Sequence, residues 1–210
     1  MQLKSLKSFV IATSVLFCAT PSGAAAELEL SGPATQGGLL VGRAPDARSV
    51  VFEGRALRLA EDGVFLVGFG RDAAPEAELV VTHGDGRIER RVIEVAPREY
   101  RIQRIDGLPR EKVTPPEAVL ARIREEGARV AAARANDDPR TDFRDGFVWP
   151  LTGRISGVYG SQRVLNGEPR RPHFGVDVAA PTGTPVAAPA DAVVRLADDD
   201  LYFSGGTLIM

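Results

Sequence analysis

Two residues whose side chains could hold a metal stand four positions apart late in the chain. His173 and Asp177 lie in "PRRPHFGVDVAAPTGTPV", residues 169–186. An imidazole nitrogen and a carboxylate oxygen are both zinc ligands, and each must approach the ion to about 2 Å. Four residues of straight strand span about 13 Å, so a straight strand cannot bring the two together. A helix sets positions i and i+4 side by side, but this stretch carries glycine, two valines and a proline, with no cap. A shared metal therefore requires a bent or bulged backbone, which Gly175 between the two would permit. Pro172 restricts the chain just ahead of the histidine. A catalytic zinc takes three protein ligands and keeps one position open, so the pair is one ligand short. The spacing by itself is weak, because two residue types at one offset recur by chance. The other histidine, His83, lies in "THGDGR" between two alternating runs. That context predicts a hairpin tip with nothing converging on the ring.

The chain that must position this pair has 210 residues, 44% of them hydrophobic and 26% charged. Such a composition belongs to one or two ordinary globular domains. Residues 1–26 read as an export signal. Lys4 and Lys7 precede the apolar run "FVIATSVLFCAT", and Ala24 and Ala26 precede a cut ahead of Glu27. An N-terminal anchor helix is the competing reading. Phe17 ahead of Cys18 argues against a lipid anchor there. Cleavage would remove the only cysteine, so the mature chain could form no disulfide. It would also remove two lysines and no acid, deepening a net charge that is already −2. An acidic chain argues against a nucleic-acid partner. No later apolar stretch is long enough to span a bilayer, so no membrane association is expected after cleavage. The expected location is the periplasm or the exterior; the oligomeric state is not legible.

The fold class expected is mainly β. Residues 27–97 are short β-branched or alternating runs, punctuated by Ala-Pro-Asp, Glu-Gly, Glu-Asp-Gly and Gly-Asp-Gly, and predict a small β-sandwich domain. Residues 98–147 read as a connector, extended and proline-punctuated at first, with one amphipathic helix. Thr114 and Glu117 fit a capping box, with Pro115 at the first helical position. Val119, Leu120, Ile123, Val130 and Ala131 form the apolar stripe; Arg122, Glu125, Glu126 and Arg129 take the other face. Gly127 weakens the helix and "NDDPR" ends it. From residue 148 to 210 the pattern is β again and rich in glycine.

This last part resembles a known family. "SGVYGSQR", nine residues, then "HFGVDVAAPTGTPVAAPADAVV" is similar to the start of the lysostaphin-type (LytM-like) zinc metalloendopeptidases. Gly160, Arg163, His173, Gly175, Asp177, Pro181, Gly183, Thr184, Pro185, Val186 and Ala188 fall in place with that signature. The resemblance covers roughly residues 147–210, and the order of signal, β domain and helix ahead of it also resembles periplasmic members. It implies the N-terminal part of a β-rich peptidase domain of the duplicated hybrid motif type. It implies zinc held by His173 and Asp177, and a substrate in the peptide stems or cross-links of bacterial peptidoglycan. The family's third ligand belongs to a later H-x-H motif whose first histidine assists as general base. Tyr202 in "DLYFSGGTLIM" is the candidate for the family's oxyanion-stabilising tyrosine, against a plain role as a strand-edge aromatic. Ala192 stands where relatives usually have glycine, and no histidine follows His173. The expectation is therefore an exported zinc endopeptidase of which this chain is a C-terminally truncated piece. The alternatives are a non-catalytic relative that binds wall or regulates another hydrolase, and an unrelated β-rich structural protein with a chance motif.

Overall fold

The computed structural model describes residues 27–108 and 117–210. The expected signal segment and the Thr114–Pro115 part of the capping box lie outside them. The protein is mainly β, with fourteen short strands and one α-helix among the described residues.

Seven strands lie between residues 29 and 94. β1 (Glu29–Ser31), β2 (Leu39–Arg43) and β5 (Val64–Gly68) make one antiparallel sheet in the order β1-β2-β5. β3 (Ala47–Phe52), β4 (Arg55–Leu57), β6 (Glu76–His83) and β7 (Ile88–Glu94) make a second, in the order β4-β3-β6-β7. The period-2 pattern of each strand aims one set of side chains at a shared interior. Leu40, Val50, Phe65, Val67, Leu79, Val81 and Ile93, drawn from both sheets, form one apolar cluster. The Glu-Gly turn signal between β3 and β4 works because Glu53 and Gly54 both take positive φ, 47° and 74°, as a two-residue hairpin loop requires.

The expected connector is more than a connector. Its first part holds β8 (Ile102–Ile105), which pairs in parallel with β10 (Gln162–Leu165) in a three-stranded sheet completed by β11 (Glu168–Pro169). Asn166 grips the backbone of Leu108 in both directions, at 3.0 and 2.8 Å. The charged stretch ahead of the helix is thus tied to the part that follows it. "RIQRI" alternates too little and is too polar for a lone strand; its pairing comes from a partner sixty residues on.

The helix α1 runs from Glu117 to Arg134. It packs on the hairpin of β13 (Leu196–Leu201) and β14 (Gly205–Ile209). One expectation about it is reversed: Glu126, read as part of the solvent face, is the one buried side chain of the helix. Arg122 Nε donates to its carboxylate at 2.5 Å and the Tyr202 amide donates at 2.8 Å. Those bonds hold the acid's charged form and keep its carboxyl below the usual range, the arginine contributing most. The docking is polar, so a search for apolar stripes points to the wrong face.

The remaining strands, β9 (Arg154–Gly157) and β12 (Asp177–Ala179), form an antiparallel pair. Among the described residues, every buried hydrophobic side chain apart from Leu201 lies between residues 28 and 95. Among the described residues, no helix is long and apolar enough to cross a membrane.

Candidate metal centre

His173 and Asp177 meet. The histidine Nε2 lies 3.2 Å from the aspartate Oδ1. The contact is at ion-pair distance but is not a hydrogen bond, and Nε2 is buried with no hydrogen-bond partner. A buried imidazole nitrogen without a partner is costly unless something else satisfies it. Two ligands at about 2.0–2.1 Å from a tetrahedral zinc stand about 3.3 Å apart. The separation and the donor types therefore fit a zinc ion, and the orphaned Nε2 is the atom that would bind it.

Three local features produce the meeting. Residues ahead of β12 bend at Gly175, and the register of β12 against β9 slips between Asp177 and Val178. A bulge of this kind re-aims one side chain without breaking the pair of strands. Asp177 sits opposite Gly157, and a Cβ on that glycine would overlap the Asp177 carboxylate. The glycine that the geometry demands is thus Gly157. At Gly175, by contrast, a Cβ would meet the His173 ring only at ordinary contact distance, 3.7 Å, and the backbone is not in the left-handed region. The bend falls at Gly175 itself, and the neighbouring strand adds a separate requirement, the space that Gly157 leaves for the Asp177 carboxylate.

The histidine backbone is fixed as well. Gly160 donates to the His173 carbonyl at 2.7 Å, and His173 donates to the Ser161 carbonyl at 2.8 Å. Gly160 has a φ of 83°, so it is a position where glycine is required. Downstream, the Pro181–Thr184 turn closes on a 3.2 Å backbone bond, with Gly183 at a φ of 87° and the Thr184 hydroxyl donating to the same Pro181 carbonyl at 2.7 Å. The proline, glycine and threonine of this segment each have a turn-forming reason to be there.

Tyr202 is not brought to the pair by any contact. It lies at the turn of the β13–β14 hairpin, its ring packed edge-on against Phe203 at 5.0 Å and its amide bound to Glu126. Nor is a third ligand present: among the described residues no group of three or more His, Cys, Asp or Glu side chains could hold a metal.

His83 departs from expectation. It ends β6 with its side chain fully buried, and acids do converge on it. Nδ1 donates to Asp46 Oδ1 at 2.9 Å, and Nε2 faces Glu89 Oε2 at 3.4 Å without a hydrogen bond. Arg87 and Arg91 face the same Glu89 carboxylate, at 3.5 and 3.1 Å. The signal was in the register: His83 continues the inward row of Ala77, Leu79 and Val81, two residues at a time. The Gly-Asp-Gly turn begins only after it.

No family model matches the chain, and no curated protein matches it.

Proposed function

We propose that this chain is part of an exported zinc-dependent endopeptidase acting on bacterial peptidoglycan. Its architecture in this reading is a small β-sandwich, a helical linker and the first part of a LytM-like peptidase domain. The observation that carries the proposal is the buried, unpartnered Nε2 of His173 at 3.2 Å from Asp177 Oδ1, produced by a bulge inside the segment that resembles the family's first ligand motif. His173 and Asp177 would hold the metal. Zinc bound there would polarise a scissile carbonyl and acidify a bound water. The chain's own residues orient the ligands: Gly157 leaves room for the carboxylate, and Gly160 and Ser161 clamp the histidine backbone. A role for Tyr202 rests on the resemblance alone.

A second reading has an observation in its favour. The described residues hold two ligands and no third, as they would in a non-catalytic relative that binds wall or regulates another hydrolase.

Digestion of purified peptidoglycan separates the two. Protein expressed from the full coding region is incubated with peptidoglycan, with and without a chelator, beside the His173→Ala variant. The peptidase reading expects release of soluble fragments that is lost with chelator and restored by zinc, and is absent in His173→Ala. Absence of digestion by the unmodified protein leaves the wall-binding or regulatory reading, and digestion that survives both treatments excludes this site.

A further inference from the structure

Resting on the metal reading, we propose that Arg71 is a positioning residue for the His173–Asp177 pair, and that the N-terminal β unit is the platform on which the metal loop is set. Arg71 lies in the turn after β5, more than a hundred residues before His173, and its side chain is only 11% exposed. A guanidinium in so closed a place needs directed partners. Its Nε donates to the Gly160 carbonyl at 2.8 Å, its Nη1 donates to Asp72 at 2.6 Å, and its plane lies 4.5 Å from the centre of the Tyr100 ring.

Gly160 is the residue whose amide holds the His173 carbonyl at 2.7 Å. Arg71 therefore reaches the metal loop through one intervening residue. Close packing reinforces the path. A Cβ on Gly160 would overlap the Tyr100 ring, so the tyrosine packs directly on the loop's backbone. Tyr159 packs against Gly37 of the N-terminal unit and against Tyr100, whose ring centre is 6.5 Å away. Tyr159 also meets Phe174, the residue after His173, with ring centres 5.9 Å apart. The Tyr100 hydroxyl is buried with no hydrogen bond, so the ring is what the arrangement uses. Arg71 contributes two directed donors from one rigid plane, which a lysine cannot reproduce.

The chain's two histidines make the test direct, because the ring protons of His173 report the metal loop while those of buried His83 report the N-terminal unit. Amide exchange at Gly160 and His173 is followed by NMR, together with the response of both rings to added zinc chloride, in wild type, Arg71→Ala, Arg71→Lys and Tyr100→Phe. In Arg71→Ala the two amides are expected to exchange about tenfold faster, and the His173 ring response to require about tenfold more zinc, with His83 signals unmoved. Tyr100→Phe should match wild type. If Arg71→Ala also disturbs His83, Arg71→Lys carries the test, with the same changes at smaller size and His83 fixed. Wild-type exchange in Arg71→Ala, or in Arg71→Lys when that variant carries the test, overturns the proposal. A wild-type chain whose His173 ignores zinc, with exchange still faster in the arginine variants, removes the metal reading and leaves the brace standing. A wild-type His173 that responds to zinc, with the same zinc response and the same amide exchange in the arginine variants, removes the brace and leaves the metal reading standing.

Discussion

The single atom on which most depends is Nε2 of His173, buried and without a hydrogen bond 3.2 Å from a carboxylate oxygen. What leaves room for the carboxylate there is the missing side chain of Gly157. Gly157→Ala is expected to push Asp177 aside and weaken the zinc response of the His173 ring by roughly tenfold or more; an unchanged titration would mean that the strand yields without moving the acid. His83 offers a separate test at the same scale. Its Nδ1–H holds the Asp46 carboxyl below the usual aspartate range, with burial opposing and the nearby charges of His83 and Arg87 adding to the effect. A depressed folded pKa means the unfolded chain binds the proton more readily, so this contribution is present above the ordinary aspartate value of about 3.9 and lost as the pH falls through the folded value. Wild type should therefore lose stability more steeply than Asp46→Asn between about pH 5 and pH 3, as read by urea unfolding. Parallel curves would show that the pair is not coupled to folding.

At the scale of elements, the β13–β14 hairpin is held to α1 mainly by charge. Glu126 takes bonds from Arg122 and from the Tyr202 amide, and Arg129 reaches Asp198 at 2.7 Å. Asp198 and Glu126 both sit below their ordinary carboxyl range; for Asp198 the Asp200 amide contributes most and Arg129 next. Leu201 is the only buried apolar side chain on this hairpin. Removing the carboxylate should thus free the hairpin locally and leave the rest intact. Glu126→Ala is expected to speed exchange of the Tyr202 amide about tenfold or more while amides of β6 keep wild-type rates. Exchange that rises in both places would show that the hairpin and the N-terminal sheets open as one unit.

Across the whole molecule, apolar burial is uneven. The two sheets between residues 29 and 94 share a closed core, whereas Phe147, Trp149, Phe174, Val186 and Phe203 of the later part are largely exposed. Stability should track the first part. Leu79, fully buried at the middle of β6, is the site to test: Leu79→Ala should cost about 2–5 kcal/mol in denaturant unfolding. A loss below about 1 kcal/mol would show that this core is not what sets global stability. Arg71 and Tyr100 both meet Gly160, so the loop that carries His173 is packed on the part of the chain that holds this core.

What local physics controls can be read directly from the residues. Alternation and turn residues made the chain mainly β, the Glu53–Gly54 and Pro181–Thr184 turns follow from residues with few other backbone options, and the His173–Asp177 spacing carried its own demand for a bent backbone. Tertiary structure decided the rest, because the deciding partners are distant in the chain. Nothing near His173 names Gly157 as the residue that clears space for Asp177, or Arg71 as the donor behind Gly160. β8 is a strand only because β10 lies beside it. Glu126 is buried because Arg122 and the Tyr202 amide satisfy its charge, which overrides the rule that places acids on the water face of a helix. His83 was legible in its parity with Leu79 and Val81, but the two acids that meet its ring come from Asp46 and Glu89, and only folding sets them together.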